Sequence, residues 1–317
     1  MDERQPKTTS SLSEFGTRKL ENEDEVFDHN AWDNVEWTQD QEAGAQALIA
    51  KQFETQVDEA QRETLEANAA GYWDAFYAKN ANRFFKDRHW LRLEFPELFE
   101  QLNKSAEQKT RFVLWEIGCG AGNTVFPFLQ EAAEADVMVY ASDYSSEAIS
   151  VVKSNDLYDE SRCKAFVHAA SQLVSADITS PDLPAHIEPG TVDIITCIFV
   201  LSAIHPSTWD RAVRNLHAML KPGGVVLFRD YGRYDLAQLR FKKGRLLEDN
   251  FYMRGDGTRV YFFTNDELAR MFAQFEILQN GHDRRLLINR TRKLKMYRSW
   301  VQAKLRKPLD SPAPAAP

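Results

Sequence analysis

Trp115-Glu116-Ile117-Gly118-Cys119-Gly120-Ala121-Gly122-Asn123 decides the fold. It follows the apolar Phe112-Val113-Leu114 and runs into Val125-Phe126-Pro127-Phe128-Leu129. That context reads as a buried strand, a tight glycine turn and the start of a helix. Glycine is needed where the backbone takes positive φ or passes close to a ligand. The spacing is G-x-G-x-G, not the G-x-G-x-x-G of a dinucleotide fold or the G-x-x-x-x-G-K-[ST] of a P-loop, and no lysine follows to hold a triphosphate. With an acid on the preceding strand, such a turn suits S-adenosylmethionine (SAM). The cationic amino-acid end of that cofactor meets backbone carbonyls and a carboxylate, where a nucleotide would need phosphate-binding donors.

Alone, the turn is a βα connection that any α/β protein can contain. A second apolar run, Val137-Met138-Val139-Tyr140-Ala141-Ser142-Asp143, ends in an acid 21 residues after Gly122. That offset matches a carboxylate closing the second strand and holding ribose hydroxyls. Its two oxygens can accept from both hydroxyls of a diol. The competing reading of Asp143 is a helix cap, because Tyr144-Ser145-Ser146-Glu147 resembles a helix start. Both readings place it at the same crevice.

The chain's 317 residues, 43% of them hydrophobic, allow one large α/β core with an appended part. No apolar run reaches the ~18 residues of a membrane span, and the polar Met1-Asp2-Glu3-Arg4-Gln5 is not a signal peptide. Cys119, Cys163 and Cys197 lack C-x-x-C spacing, so neither a metal site nor a disulfide framework is expected. Free cysteines beside buried strands fit a reducing compartment, most simply the cytoplasm. The formal net charge is -8, yet residues 229–317 hold 19 Lys+Arg against 10 Asp+Glu, out of 39 and 47 in the whole chain. An acidic front and a basic back result, and local potential governs a phosphate-binding face. Solvated helix faces are the bland alternative.

Residues 1–70 read as an acidic, RNA-facing extension, disordered at first, then a helix over 39–71. Within it, His29-Asn30-Ala31-Trp32-Asp33-Asn34-Val35-Glu36-Trp37 carries two tryptophans that need a surface to cover them. Residues 71–110 form a helical cap, with Trp73 and Tyr77 on one helix face and then Phe84-Phe85-Lys86-Asp87-Arg88-His89-Trp90. That loop combines large apolar groups with four consecutive ionisable side chains, a mixture that points to function. Residues 111–309 alternate strands (111–118, 137–143, 165–169, 191–201, 223–230) with helices from Thr124, Ser146 and Pro206. An Asp-Gly hairpin over 250–263, a helix from Asp266 and final strands near 275–281 and 294–304 follow. The end, 310–317, is a flexible tail.

Several of these stretches together resemble the tRNA N3-methylcytidine methyltransferases. They are Phe84 to Trp90, Glu116 to Pro127, Ile198-Phe199-Val200-Leu201-Ser202-Ala203, Leu227-Phe228-Arg229-Asp230-Tyr231-Gly232, Leu239-Arg240-Phe241-Lys242-Lys243-Gly244 and Asn250 to Phe263. The resemblance spans Phe15 to Pro308, and the His29–Trp37 segment is similar to the branch acting on threonine tRNAs. It implies an α/β, Rossmann-like class I SAM-dependent methyltransferase: a seven-stranded, mostly parallel sheet with helices on both faces and an RNA-facing extension. It implies methyl transfer to N3 of cytidine 32 in the anticodon loop of threonine tRNAs, with serine tRNAs also compatible. On the family pattern Trp73 and Tyr77 cover SAM, Gly118 and Gly120 belong to the turn that holds its methionine part, and Asp143 holds the ribose. Ile198 packs against the adenine. The family's acid after the third strand is absent at Ala169-Ala170, which moves the expected adenine contact to Asp177 and Ile178 across inserted residues.

Cytosine N3 carries an in-plane lone pair, so positioning supplies much of the rate. The product is cationic, and a nearby carboxylate stabilises that charge. Asp87 and Asp230 are the candidates, with ion pairs to Arg88 and Arg229 as their structural alternatives. Phe85 would receive the splayed base. Lys86, Arg88, His89, Arg229, Arg240, Lys242, Lys243, Arg285, Arg292 and Lys293 would hold phosphates, alongside Arg245, Arg284, Arg290 and Lys295. The expected partner is the tRNA anticodon stem-loop, without membrane or metal, and a protein such as an aminoacyl-tRNA synthetase is compatible with it. A SAM enzyme acting on a protein or small molecule, and a non-catalytic RNA-binding module, are the competing readings.

Overall fold

The computed structural model describes residues 15–168 and 183–310. Asp177, Ile178 and the Ala169-Ala170 departure lie outside the described residues, as do 1–14 and 311–317. In chain order the elements are β1 (Ala31–Trp32), α1 (Gln39–Gln52), α2 (Glu59–Ala67), α3 (Ala69–Asn80), α4 (Leu91–Glu94), α5 (Pro96–Gln108), β2 (Phe112–Ile117), α6 (Val125–Glu131), β3 (Val137–Asp143), α7 (Ser146–Lys153) and β4 (Cys163–Val167). Then come β5 (Val192–Ile198), α8 (Trp209–Met219), β6 (Leu220–Tyr231), α9 (Leu236–Leu239), β7 (Leu246–Glu248), β8 (Phe251–Met253), β9 (Arg259–Tyr261), α10 (Asn265–Met271), β10 (Glu276–Asn289) and β11 (Leu294–Arg306).

Side-chain alternation along the central strands builds two cores, one on each sheet face. Trp115 and Ile117 of β2, Ile195 and Cys197 of β5, and Val226 and Phe228 of β6 join one core. Helices α8 and α10 cover it through Val213, Leu216, Leu268 and, just beyond α10, Phe272. The intervening Phe112, Leu114, Ile194, Ile198 and Leu227 face the other side, under α5, α6 and α7. A strand buried on both faces needs a nearly continuous apolar run, which β5 supplies.

The sheet runs β1-β10-β11-β6-β5-β2-β3-β4. Strands β4, β3, β2, β5 and β6 are mutually parallel, β11 is antiparallel to β6 and β10 antiparallel to β11. The seven expected strands are therefore joined by an eighth, β1, which pairs Ala31 and Trp32 with Leu287 and Leu286. Strand order reverses between β2 and β5, and ligands of open α/β sheets bind at such a switch point.

The described part of the N-terminal extension packs on this domain. Trp32 is buried against Leu286 and Ile288, and its Nε1 donates to the Val26 carbonyl at 2.9 Å. Trp37 stacks on Tyr234 with ring centroids 6.1 Å apart. The tryptophans thus find their cover within this chain. The single helix expected over 39–71 is broken in two, and α3 starts only at Ala69. Asp58 caps α2 by accepting from the Gln61 amide at 2.8 Å, while the Val57 amide donates to the Leu246 carbonyl at 2.9 Å. A long-range backbone bond overrides local helix preference there.

Part of the charge asymmetry is used in pairs between the front of the chain and its back. Glu23 pairs with Lys295, Asp33 and Glu94 with Arg285, Glu54 with Lys243, Glu66 with Arg259 and Glu97 with Lys304. Lys243, Arg259, Arg285, Lys295 and Lys304 of the basic back are counter-charges of the acidic front.

Candidate active site

Gly118, Gly120 and Gly122 all take positive φ, at 60°, 54° and 84°. A Cβ on Gly118 would sit 2.6 Å from a methyl of Val200, and one on Gly120 would run into the Tyr77 hydroxyl. Only glycine fits, so the turn presents bare backbone to the crevice. Asp143 Oδ2 accepts from the Gly120 amide and Oδ1 from the Ser145 amide, both at 2.9 Å. The N-cap of α7 is Ser145, whose Oγ accepts from the Ala148 amide at 3.1 Å, so Asp143 is not the cap. Burial pushes the Asp143 carboxyl up to about 6, opposed by the two amides.

Helix α3 lies over this turn. Asp74 Oδ1 accepts from Ser145 Oγ at 2.7 Å and the Glu147 amide at 3.2 Å, which ties α3 to the α7 N-terminus. Trp73 and Tyr77 stack with centroids 6.0 Å apart at 27°. They share one cavity of ≈ 370 Å³ with Gly118, Gly120, Asp143 and Ile198. Phe85, Lys86, Tyr231, Arg254 and Asp256 also line it. Phe199 takes φ 60° immediately after β5 and sets its ring 5.0 Å from Tyr231.

The Phe84–Trp90 loop is latched onto the glycine turn by its own charges. The Arg88 amide donates to the Asn123 carbonyl at 2.9 Å. Arg88 Nη1 donates to Glu116 Oε1 at 3.1 Å and Thr124 Oγ1 at 2.6 Å, and Asn123 Nδ2 donates to Asp87 Oδ1 at 3.0 Å. Asp87 and Arg88 therefore bond to the turn and not to each other, and Asp87 does not line the cavity. Burial raises the Glu116 carboxyl to about 7, with the Arg88 cation opposing. Lys86 and His89 are exposed, and Lys86 lies on the cavity wall.

Asp230 does not face the crevice. It is fully buried at the end of β6, where Oδ2 accepts from the Ser202 amide at 3.0 Å and Oδ1 from the Tyr231 amide at 2.8 Å. Arg229 does not pair with it. The Arg229 guanidinium pairs with Asp283, donates to Gln302 Oε1 at 2.6 Å and lies 5.5 Å and 5.2 Å from the Trp90 and Trp300 ring centres. Arg285 joins the same cluster, 2.9 Å from Asp283 and 2.7 Å from Glu94. Arg229 and Arg285, two of the arginines expected at phosphates, thus act as cross-braces within the chain. Arg240, Lys242, Arg292 and Lys293 are exposed, and Lys243 shares a surface pair with Glu54. Exposed pairs exchange at little cost.

Sequence reasoning passed over Arg254 and Asp256. The Asp-Gly turn signalled a hairpin, and nothing local showed that its tip reaches the cavity. Gly257 shows it: a Cβ there would strike the Tyr72 ring of α3.

A glycine turn that excludes side chains, a two-oxygen carboxylate and a stacked ring pair fit SAM, and with the sheet order they define a SAM-dependent methyltransferase. The methyltransferase domain family matches residues 78–278. The chain belongs to the tRNA N3-methylcytidine methyltransferase family. It is 46% identical to the Schizosaccharomyces pombe tRNA N(3)-methylcytidine methyltransferase trm140, with 96% of this chain and 98% of that protein covered. It is 41% identical to the human tRNA N(3)-cytidine methyltransferase METTL2B, covering 94% of each. The tRNA(Thr) (cytosine(32)-N(3))-methyltransferase of Saccharomyces cerevisiae is 49% identical over 92% of this chain, which spans 45% of that longer protein. A SAM-dependent methyltransferase from Anabaena variabilis shares the fold at TM-score 0.51 and 14% identity, covering 76% of this chain and 95% of that one.

Proposed function

We propose that this chain methylates N3 of cytidine 32 in the anticodon loop of threonine tRNAs. The observation that carries this reading is one continuous cavity lined both by the glycine turn and Asp143 and by Phe85 and Lys86. SAM supplies a methyl group on a sulfonium, which a neutral ring nitrogen can attack without prior deprotonation. Gly118 and Gly120 would hold its amino-acid part, Asp143 its ribose hydroxyls, and Trp73, Tyr77 and Ile198 its apolar faces. Asp177 and Ile178 stay the proposed adenine contacts.

N3 lies on the pairing edge, so the acceptor base must leave its stack to reach the cavity. Phe85, 36% exposed and packed edge-on against Phe84, offers a face for it. Such stacking is worth about 1–3 kcal/mol per base. Lys86 would meet the adjoining backbone, and the exposed Arg240, Lys242, Arg292 and Lys293 the stem phosphates. Arg88 and Asp87 would serve by holding the loop. A cytoplasmic location and an aminoacyl-tRNA synthetase as partner accord with this reading.

The test is incubation with SAM and threonine tRNA from cells lacking the modification, followed by mass spectrometry of the nucleosides. Methylcytidine at position 32 is expected. Intact SAM binding with no methylated tRNA would refute the proposal.

A further inference from the structure

The methylated base carries a positive charge, and neither carboxylate expected to meet it lines the cavity. Asp87 is bonded to Asn123, and Asp230 is sealed beneath Ser202. Among the described residues the cavity wall holds two carboxylates, Asp143 and Asp256. Asp143 belongs to the glycine turn, where it accepts from two backbone amides and is assigned to the ribose of SAM. Asp256 lies on the tip of the hairpin between β8 and β9. Its Oδ1 accepts from the Thr258 amide at 3.0 Å and the Thr258 hydroxyl at 2.7 Å, which fixes the carboxylate on the tip. The tip is itself held, because Gly257 at φ 84° abuts the Tyr72 ring next to Trp73.

We propose that Asp256 is the catalytic and specificity-determining carboxylate that accepts from the exocyclic amine of the acceptor cytosine. This rests on the tRNA cytidine reading above. The amine stands beside N3 on the pairing edge, and its hydrogens need an acceptor once the base has left its partner. In the transfer the N3 lone pair forms the new N–C bond while the carbon–sulfur bond breaks and leaves its electron pair on sulfur. No proton moves. The charge lost by the sulfonium appears on the ring and is shared with the exocyclic nitrogen. Its hydrogens become more acidic and bind a carboxylate more tightly in the transition state than before it. Uracil presents a carbonyl at the same place, which the carboxylate repels, so one group both selects and stabilises.

The discriminating variant is Asp256→Asn, because the asparagine carbonyl can still accept from Thr258 and keep the turn. With the full chain and threonine tRNA, kcat is expected to fall by about 100-fold, the scale of losing one transition-state contact. SAM affinity by calorimetry should stay within about twofold, since only transition-state binding is removed. A second substrate then separates catalysis from support of the fold: tRNA with a 2-pyrimidinone nucleoside at position 32, which keeps N3 and lacks the amine. The unaltered chain should lose activity on that tRNA, and Asp256→Asn should lose no more. An Asp256→Asn variant with full activity on cytidine tRNA overturns the inference alone, as do losses that multiply across variant and base. An unaltered chain that makes no methylcytidine removes the underlying reading, and the inference with it.

Discussion

Replacing Arg229 with methionine separates two roles that a basic residue beside a crevice can have. Its partner Asp283 is fully buried, and the arginine side chain is 7% exposed between two tryptophans. Breaking a buried pair from one side typically costs 3–5 kcal/mol, because the remaining charge stays unpaid in a poor solvent. Here Asp283 keeps Arg285 at 2.9 Å, which places the loss at the lower end, about 3 kcal/mol. At about 2.1 cal/mol/K of unfolding entropy per residue, that corresponds to roughly 4–5 °C in Tm for a chain of this length. Urea unfolding should show the loss, and combining Arg229→Met with Asp283→Leu should recover about half or more of it. tRNA affinity of the folded variant, measured by filter binding at several salt concentrations, should keep its slope. Unchanged stability together with a shallower slope would show that Arg229 neutralises a phosphate and that the cross-brace is mistaken.

Asp143 gives a pH dependence of defined sign. Its folded carboxyl is raised from 3.8 to about 6, so its contribution to the free protein's stability is complete at low pH and is lost as pH rises through about 6. SAM affinity should run the opposite way, strengthening between pH 5 and 7, and calorimetry of Asp143→Asn should show that step removed. Gly120→Ala places a Cβ against the Tyr77 hydroxyl at φ 54°, and left-handed backbone alone costs alanine about 1–2 kcal/mol. SAM affinity should fall at least tenfold as Tyr77 gives way. Arg88→Ala cuts two of the bonds that latch the Phe84–Trp90 loop, so amide exchange across 84–90 should accelerate while the glycine turn stays protected. Reversing charge at Arg292 and Lys293 should weaken tRNA binding and flatten its salt dependence, with thermal stability held.

The parts of the fold that were legible are those whose signal is local. The glycine turn, the acid closing β3 and the apolar run of β5 each fix their own conformation through sterics and burial. Strand β10 runs past the end near 281 that the sequence predicts, where Asn280 to Arg285 is polar enough to pass for a loop. It continues to Asn289 since Asp283 and Arg285 are neutralised by groups remote in sequence. Arg229 and Asp230 show a second limit. Neighbours on a strand point to opposite faces, so a motif placing both at one crevice conflicts with the pleat. Each was taken by a different core. Asp256 is illegible for the converse reason: its turn is obvious, yet the turn abuts Tyr72 of α3, almost two hundred residues earlier in the chain.

The pairing of β1 with β10 constrains the order in which the molecule can be made. Ala31 and Trp32 emerge from the ribosome about 255 residues before Leu286 and Leu287. At about 5–20 residues per second, the first strand waits roughly 10–50 s for its neighbour. Through that interval Trp32 and Trp37 lack their cover, and Glu23, Asp33 and Glu54 lack their cations. A negatively charged segment is kept soluble by its own repulsion during that wait. Closure of the N-terminal edge therefore waits for β10, and the surface of β10 and β11 acquires its final charge only when the extension settles onto it.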